Sequence, residues 1–522
     1  MAKQALIIGG GHNGLVCASY LAAGGMDVTV LEKREVIGGC AVTEEFHPGF
    51  RNSVASYTVS LLHRQVIDDL RLHDHGLRIV ERPVNNFLPL PDGDSFTSFI
   101  EQPDFLAEIS RFSQADAAHY ANFNESLEVA VGLIRDLMLE TPPRLHESGI
   151  GDLWKAFSLS RRFNALGGSA KQQLLRLFSV SAGELLDDEF ESDPLKALVG
   201  FDAIVGNYAS PYQAGSAYVL LHHVIGEVNG KPGRWGHAIG GMGAITQAMA
   251  DEARQRGARI ETGCGVREVT CRGGRVRGVT LDSGETLAAD IVIANINPKL
   301  LFLNLLPGDQ VPADIQDHFQ RYKCQSGTFR MNVALSELPA FKATAPEGAL
   351  SSGIIMAPSL AYMDRAFLDA RQFGYARAPV VEMLIPSTLD DSLAPAGQHV
   401  ASLFCQQFNP DLGAAWQDHR QAAAEAIIDV VNQYAPNFRD SIVGTQVLSP
   451  WDLEQTFGLM GGDIFHGRLT LDQLFSARPM IGMGQYRTHL PGLYLCGSGT
   501  HPGGGVTGVP GHNAAREILR DH

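Results

Sequence analysis

The chain begins with a short apolar run, Ala5–Ile8, that passes directly into the glycine-rich segment Gly9–Gly14. A continuous apolar run of this length is typical of a parallel strand that is buried on both faces. The segment fits the pattern GxGxxG, in which Gly9 makes a tight turn, Gly11 admits a pyrophosphate and Gly14 packs a helix against the strand. The pattern therefore predicts the strand, turn and helix of a dinucleotide-binding α/β fold.

An acidic residue stands where the second strand of this unit is predicted to end. The helix is predicted from Leu15 to about Ala23, and Asp27–Leu31 is predicted to form the next strand. Glu32 then follows Gly14 close to the roughly 20-residue spacing at which a carboxylate binds ribose hydroxyls. The N-terminus of the helix, with its free N–H groups, points at the phosphates. Because strand, helix, strand and acid are in register, an ordinary glycine turn is a much weaker alternative.

A second glycine-rich segment, Gly492–Arg516, lies near the other end of the chain. Leu493–Cys496 is predicted to form a strand and Gly497–Thr500 a turn, and a helix is predicted to begin near Gly508. A helix that starts there can direct its positive end at a bound cofactor. We therefore expect both ends of the chain to enclose one dinucleotide.

The choice between NAD and FAD depends on the glycine pair Gly38-Gly39, which follows Glu32 by a few residues. A second close approach of the backbone at this point suits a cofactor that lies extended across the domain, as FAD does. The sequence contains one dinucleotide fingerprint, so NAD(P) is not expected as an obligatory partner. We predict FAD as the cofactor and no metal.

Several segments together resemble one family. They are the two chain ends, Trp235–Gly243, Asp290–Pro298 and Gly461–Gly467. On these segments the sequence resembles the phytoene desaturase-like FAD-dependent oxidoreductases, which are more distantly related to the amine oxidases. Within that family it is most similar to the branch named after pyridine nucleotide-disulfide oxidoreductase domain-containing protein 2. The resemblance implies an amine-oxidase-like and phytoene-desaturase-like fold, with a Rossmann-like FAD-binding domain and an interleaved substrate domain.

The motifs and the resemblance together define the predicted cofactor site. The resemblance implies that the strand at Val266 holds adenine through its backbone. The turn at Gly497 lacks the aspartate that many flavoproteins carry there, so its contact is assigned to the backbone or to Thr500. The segment His501–Val506 resembles the one beside the ribityl chain and the isoalloxazine edge. The predicted cofactor-binding residues are Gly9, Gly11, His12, Asn13, Gly14, Glu32, Lys33, Gly38, Gly39, Cys40, Ala41, Val266, Gly497, Ser498, Thr500, Pro502, Gly503, Gly504, Gly505 and Val506.

The predicted domain organisation is discontinuous. Paired strands at Gly265–Val269 and Arg275–Leu281, followed by the strand Asp290–Ala294, return the chain to the cofactor domain after a long insertion. The expected fold class is α/β with an α+β substrate region. The predicted FAD-binding domain comprises residues 1–90, 234–300 and 480–522, and the predicted substrate domain comprises residues 91–233 and 301–479.

Composition and charge limit the possible partners. The net charge of −16 argues against nucleic acid and against electrostatic docking on anionic lipid. The least charged long stretch, Ala203–Gly226, contains polar residues and is interpreted as the buried lining of a cavity rather than a membrane span. Because the first strand is predicted near residue 5, no signal peptide is expected. We expect a cytoplasmic protein, with a location peripheral to a membrane as the alternative.

One amphipathic stretch leaves membrane contact open. Gln172–Phe178 could touch a membrane that stores an isoprenoid substrate, but an ordinary half-buried helix is the favoured interpretation. The seven cysteines contain no CxxC pair, which argues against a disulfide reductase and favours reduced thiols. The sequence leaves the oligomeric state open.

No catalytic dyad can be recognised from the sequence. His466, His501 and Arg478 are the predicted catalytic residues, because each lies in or beside a segment of the resemblance or a glycine cluster. Each has a structural alternative, either a satisfied buried histidine or an arginine that orders a loop. Tyr57 and Trp235 are predicted to contact the substrate, with a place in the core as the alternative.

These observations predict an FAD-dependent oxidoreductase that dehydrogenates an organic, largely apolar substrate by hydride transfer to flavin N5. Oxygen, a quinone or another carrier is expected to accept the electrons. Two alternatives stay open: a carotenoid or isoprenoid desaturase or isomerase at a membrane surface, and a flavin-containing scaffold without turnover. A long apolar tunnel would favour the desaturase, whereas the polar residues of Ala203–His223 favour a compact cavity and a smaller substrate.

Overall fold

The computed structural model describes residues 2–144 and 150–522. Helices and strands alternate along much of the chain, which confirms the predicted α/β class. In chain order the strands are β1 (Gln4–Ile8), β2 (Asp27–Leu31), β3 (Thr43–His47), β4 (Phe50–Ser53), β5 (Ile79–Glu81), β6 (Asn86–Pro89), β7 (Ser95–Ser98), β8 (Glu227–Val228), β9 (Lys231–Pro232), β10 (Gly236–Ala238), β11 (Arg259–Glu261), β12 (Val266–Cys271), β13 (Val276–Leu281), β14 (Thr286–Ala288), β15 (Ile291–Ala294), β16 (Phe329–Leu335), β17 (Gly353–Met356), β18 (Tyr375–Leu384), β19 (His399–Phe408), β20 (Ile442–Leu448) and β21 (Leu493–Leu495).

The α-helices connect and cover these strands. In chain order they are α1 (His12–Ala23), α2 (Arg64–Asp69), α3 (Gln102–Phe112), α4 (Gln114–Met138), α5 (Ile150–Ala165), α6 (Gly168–Ser179), α7 (Ala182–Glu189), α8 (Asp193–Phe201), α9 (Ser216–Val224), α10 (Met242–Gln255), α11 (Pro298–Leu300), α12 (Ala313–Arg321), α13 (Leu360–Phe373), α14 (Trp416–Tyr434), α15 (Phe438–Ser441), α16 (Pro450–Phe457) and α17 (Val509–Asp521). Within the described ranges, no helix is long and apolar enough to cross a lipid bilayer.

A five-stranded parallel sheet forms one layer, in the order β11-β2-β1-β15-β21. Ile7 in the central strand β1 is paired with Val30 on one side and with Ile293 on the other. All three side chains are fully buried. A strand that is covered on both faces is expected to be continuously apolar, and the first apolar run of the sequence therefore occupies the centre of this sheet.

Helices from both ends of the chain pack against one face of the parallel sheet. Cys17 and Leu21 of α1 share a core with Ile7 and with Ile518 of α17, and α10 packs beside α1. α1 begins at His12 rather than at Leu15, because Gly11 already has the extended conformation of the residue that precedes a helix. The packing of α1 on α17 holds the two glycine-rich segments side by side.

The opposite face of the parallel sheet is covered by the three-stranded antiparallel sheet β12-β13-β14. Leu6 and Val292 of the parallel sheet share a core with Val279 of the antiparallel sheet. β12 and β13 are joined at Gly273-Gly274, where both residues have positive φ, so the predicted hairpin is confirmed.

A seven-stranded sheet forms the second large layer, in the order β20-β16-β19-β18-β17-β6-β7. Side chains alternate across it: Leu403 faces a core completed by Trp416 and Ile427 of α14, and Phe404 faces the core that contains α4 to α9. β6 pairs with β17 in this sheet although residues 86–89 lie inside the range predicted for the FAD-binding domain. β6 therefore belongs to the second large layer and not to the parallel sheet.

Candidate functional site

One cavity of about 570 Å³ lies between the carboxyl ends of the parallel strands and the seven-stranded sheet. Residues at the ends of β1, β2 and β15 line it, and so do side chains from β19 and from the loop after α16. In open α/β sheets, ligands bind in the crevice outside the carboxyl ends of the strands. The cavity lies at that position, and it extends towards the second sheet.

Glycines form the floor of this cavity at the end of β1. Gly9 has φ +97°, and a Cβ atom there would lie 2.8 Å from the carbonyl oxygen of Asn295. A Cβ on Gly14 would collide with the carbonyl oxygen of Gly9. Within the described part of the chain, the N-terminus of α1 has no side-chain cap, so its first N–H groups are free for an anion.

The carboxylate of Glu32 is fixed at the edge of the cavity. Its Oε2 atom accepts a hydrogen bond from the Gly10 N–H at 2.7 Å, and its Oε1 atom accepts one from the Arg34 N–H at 2.9 Å. Only 7% of Glu32 is exposed. The side chain therefore fills a defined position between the turn after β1 and the turn after β2, where a ribose can reach it.

The two glycine-rich segments meet directly beside the cavity. Asn13 Nδ2 donates to Ser498 Oγ at 3.1 Å. Among the described residues, the buried atoms His12 Nε2, Asn13 Oδ1 and His466 Nδ1 have no hydrogen-bond partner. Buried polar atoms are seldom left unpaired, so these atoms mark a place where the cavity takes a polar ligand.

Both histidines at this place are neutral at physiological pH. Burial and, to a smaller extent, the neighbouring His466 together lower the pKa of His12 to about 3. Burial also lowers the pKa of His466 to about 4, with a smaller effect from the Arg478 guanidinium. Each imidazole can therefore donate or accept a hydrogen bond without adding charge.

Comparison with known proteins identifies the family. A family model described as "Flavin containing amine oxidoreductase" matches residues 14–328. The chain belongs to this family. It is 39% identical to pyridine nucleotide-disulfide oxidoreductase domain-containing protein 2 of Mus musculus, over 99% of this chain and 93% of that protein. It is 25% identical to the neurosporene-forming phytoene desaturase of Cereibacter sphaeroides, over 98% of this chain and 93% of the desaturase.

Solved structures agree on the fold of this flavin amine oxidoreductase. An oxidoreductase from Methanosarcina mazei aligns with a TM-score of 0.63 and 14% identity, over 99% of this chain and all of that one. A putrescine oxidase variant aligns with a TM-score of 0.61 and 14% identity, over 100% and 98% of the two chains. The family confirms the predicted FAD-dependent oxidoreductase and its cofactor. The seven cysteines, all in described positions, are free thiols, although the name of the mouse relative refers to disulfides.

The cavity fits an extended FAD. It runs from Lys33 and Val266 at one end to Tyr57 and Trp235 at the other, past the uncapped N-terminus of α1. The turn glycines Gly9 and Gly11, the fixed carboxylate of Glu32, and the two histidines His12 and His466 all line it. Of the predicted cofactor-binding residues, those that line the cavity are Gly9, Gly11, His12, Glu32, Lys33, Gly39, Cys40, Val266, Ser498, Gly505 and Val506.

The remaining predicted cofactor residues lie just behind this surface, in the described structure. Gly38 N–H donates to the Gly10 carbonyl at 2.9 Å and thereby joins the two glycine turns. Thr500 Oγ1 donates to the Gly497 carbonyl at 2.8 Å, so this hydroxyl stabilises its own turn. The residues behind the surface are Asn13, Gly14, Gly38, Ala41, Gly497, Thr500, Pro502, Gly503 and Gly504.

Of the three predicted catalytic residues, the structure brings His466 to the cavity. Its imidazole lines the wall, and its backbone has φ +57°, an uncommon conformation for a residue other than glycine. Val506, which also lines the cavity, has φ +59°. Such strained positions cluster at functional sites. Val506 lies in the segment predicted to adjoin the flavin, and His466 lies in the segment Gly461–Gly467 of the resemblance.

His501 and Arg478 lie behind the cavity wall, which does not support the catalytic roles predicted for them. His501 Nε2 lies 3.0 Å from the Leu137 carbonyl oxygen, in a separate small pocket. Arg478 is fully buried, and its two terminal nitrogens donate to four backbone carbonyls at 2.6–3.1 Å. Both contacts are with backbone, so they indicate that these side chains order the loops around the cofactor.

The two predicted substrate residues, Tyr57 and Trp235, line the same end of the cavity. Phe404 lies with them, and its ring stacks on that of Tyr57 with centroids 5.0 Å apart. Val205 and His223 from the stretch predicted to line a cavity are also in the wall. His237, by contrast, pairs with Asp390 at 3.0 Å in a buried contact, which indicates a structural role.

Sequence reasoning missed the residues that reach the cavity from elsewhere in the chain. Asn295 donates from Nδ2 to the Gly9 carbonyl at 3.0 Å, and its place at the end of a predicted strand could have indicated it. The run of residues 454–460 covers the cavity from the side of the second sheet. Nothing in its local pattern distinguishes it from an ordinary helix end.

Proposed function

We propose that this FAD-dependent oxidoreductase dehydrogenates a compact, largely apolar organic substrate held against the flavin at the Tyr57 end of the cavity. FAD supplies the hydride acceptor, N5, when it is bound. The observation that carries the proposal is the continuity of one cavity from Glu32 to Tyr57, Trp235 and Phe404. A single cavity of this kind would bring a substrate into contact with the reactive end of the cofactor.

Different parts of the chain bind the different groups of the cofactor. The N-terminus of α1 and the glycine turns bind the pyrophosphate, and Glu32 binds the ribose. α17 begins after Gly508, whose φ of +74° ends the preceding loop and turns the helix N-terminus towards the Val506 segment. A helix N-terminus in that position stabilises negative charge on the reduced cofactor.

The aromatic wall excludes water from the reacting end. Tyr57, Trp235 and Phe404 present ring surfaces to the cavity, and His466 faces the same space with a free nitrogen. We infer that His466 positions the substrate or the flavin by a hydrogen bond from a neutral imidazole, because its pKa of about 4 leaves it uncharged. Oxygen, a quinone or another carrier is the proposed acceptor of the electrons.

The proposed domain division follows the sheets. Residues 1 to about 85, 234–300 and 480–522 would form the FAD-binding domain, since they contribute the parallel sheet and the helices on it. The intervening residues would form the substrate domain around the seven-stranded sheet. Limited proteolysis of holoprotein and apoprotein would test the division, because cuts that FAD suppresses should fall in the three cofactor segments.

An anaerobic substrate screen tests the proposed reaction. Holoprotein is mixed with panels of alcohols, amines and saturated carbonyl compounds, and loss of the visible flavin absorbance is followed in a stopped-flow instrument. At least one class is expected to reduce the flavin. With that compound, His466→Ala should slow reduction more than it lowers flavin content, and equal rates would remove His466 from the site. If photoreduction bleaches the flavin but no compound does, the scaffold interpretation is favoured instead.

A second candidate function, desaturation of a lipid-borne polyene at a membrane surface, is favoured by one observation. Trp154 of α5 and Leu175 of α6 are 68% and 61% exposed, and large exposed apolar side chains are typical of interfacial helices. Relatives named phytoene desaturase match almost the whole chain. Co-sedimentation with vesicles of a neutral phospholipid would support this candidate if it is lost in a Trp154→Ser variant, and absence of binding would contradict it.

A further inference from the structure

The aromatic residues at the substrate end of the cavity each have a guanidinium group against the ring. Arg330 Cζ lies 4.6 Å from the ring centroid of Tyr57 and 5.7 Å from that of Phe404. Arg82 Cζ lies 5.4 Å from the ring of Trp235. The two arginines are 1% and 4% exposed. They are therefore buried cations that stand behind the wall to which the substrate binds.

The hydrogen bonds of these guanidinium groups do not neutralise their charge. Arg330 donates to the Leu403 carbonyl at 2.8 Å and to Ser402 Oγ at 2.6 Å. Arg82 donates to Thr58 Oγ1 at 2.7 Å, and Thr58 itself lines the cavity. All of these acceptors are neutral. Within the described part of the chain, the Nε atom of Arg330 has no acceptor at all.

Few negative charges face the two arginines. Glu382 is buried beneath the wall and accepts a hydrogen bond from the Tyr57 hydroxyl. Burial raises the pKa of Glu382, although Arg82 and Arg330 act in the opposite direction. Burial raises the pKa of the nearby Asp202 to about 8, so this carboxyl is largely protonated at neutral pH. Within residues 2–144 and 150–522, at most one carboxylate therefore faces the two guanidinium groups, and this part of the wall carries an excess of positive charge.

We propose that this end of the cavity takes a substrate that bears a carboxylate or a similar anionic group beside the reacting carbon, and that it discriminates against ammonium substrates. The inference rests on the proposed function, which places the substrate against Tyr57. A buried excess of positive charge attracts an anion strongly because few water molecules screen it. An ammonium group would be repelled, because the guanidinium groups behind these rings oppose a second cation at the faces that line the cavity.

Binding of three matched probes to the holoprotein tests this selectivity. Benzoate, benzyl alcohol and benzylammonium share one ring and differ in charge, and each is titrated while the visible spectrum of the flavin is recorded. Benzoate is expected to bind at least tenfold more tightly than benzyl alcohol, and benzylammonium more weakly than the alcohol. Equal or tighter binding of benzylammonium would overturn the inference.

Variants of Arg330 and Arg82 separate the effect of the positive charge from the effect of the shape of the wall. Arg330→Met should reduce the preference for benzoate over benzyl alcohol at least fivefold, whereas Arg330→Lys, which keeps the charge, should retain most of it. An unchanged preference in both Arg330→Met and Arg82→Met would refute the inference. If neither methionine variant retains FAD, the order of the three probes on the unmodified protein decides the question.

The same titration distinguishes failure of the inference from failure of the proposed function. If no probe alters the flavin spectrum of a protein that retains FAD and can be photoreduced, the Tyr57 end is not the substrate site, and both proposals fail. If the probes bind but benzylammonium binds most tightly, the substrate site stands and the inferred preference for anions is wrong.

Discussion

Replacing Arg478 with methionine is predicted to destabilise the region around the cofactor severely. The guanidinium donates four hydrogen bonds, to the carbonyls of Phe465, Gly467, Gln473 and Ser498, and none of it is exposed. Hydrogen bonds from a charged donor contribute roughly 1.5–3 kcal/mol each. Because burial of the charge offsets part of this sum, we expect a net loss of about 4 kcal/mol.

Thermal unfolding and flavin content measure this loss together. A cooperative unit of 150–250 residues loses roughly 2–4 °C of Tm per kcal/mol, so the variant should unfold at least ~8 °C lower. Weaker FAD retention should accompany the shift, because Ser498 lines the cavity. Arg321→Met is the matched control, since the Arg321 side chain is 80% exposed and has one i,i+4 pair with Asp317.

The Arg478→Lys variant tests whether the positive charge alone, without the four contacts, stabilises these loops. Arg478→Lys keeps the charge but offers three donors from one point, so it should recover part of the stability and not all of it. If Arg478→Met unfolds at the temperature of the unmodified protein and holds its FAD, the four carbonyl contacts do not order these loops. Normal stability combined with lost flavin reduction would return Arg478 to the catalytic role predicted from the sequence.

Three further predictions concern two residues of the cofactor site and one buried histidine. Gly11→Asp should weaken FAD binding roughly 100-fold by placing a carboxylate beside the pyrophosphate. Gly132→Asp is the control and should not weaken binding, because no atom of the described structure lies within 4 Å of a Cβ added there. Equal flavin content in the two variants would contradict the assignment of Gly11. Glu32→Gln should weaken reconstitution of apoprotein with FAD about tenfold, because a charged acceptor is lost, and an unchanged Kd would remove Glu32 from the ribose site. His222 has its pKa lowered to about 3, chiefly by burial, so its contribution to stability is present above pH 6.5 and is lost as the pH falls towards 3. The free energy of unfolding of His222→Leu, measured by urea denaturation, should therefore gain on that of the unmodified protein between pH 7 and 5, by at most about 1.4 kcal/mol per pH unit. A difference that does not vary with pH would refute this.

The local part of the site could be predicted because its geometry is set within a short stretch of sequence. The turn at Gly9, the start of α1 and the position of Glu32 all follow from about 30 residues, in which strand, helix and strand have fixed lengths. The structure places Gly9, Gly11 and Glu32 in one cavity with Gly505 and Val506. The resemblance of the C-terminal segment to one family predicted the second group of cofactor-binding residues.

The rest of the site depends on contacts between segments that are distant in the sequence. Arg82, Arg330 and Glu382 meet behind the wall only because β16 and β18 lie in the same sheet and β5 leads into β6, which also belongs to that sheet. No spacing rule connects such positions. Burial also bears on the roles predicted for His501 and Arg478. A sequence without structure does not reveal that His501 Nε2 and the two terminal nitrogens of Arg478 contact backbone carbonyls.

The two ends of the cavity differ in charge, and this difference connects the fold to substrate choice. At one end, the parallel sheet provides backbone N–H groups and one fixed carboxylate, which suit a nucleotide. At the other, the second sheet provides the guanidinium of Arg330, in β16, and the carboxyl of Glu382, in β18. An exchange of Arg330 for a neutral residue should alter which substrates bind while the cofactor stays in place.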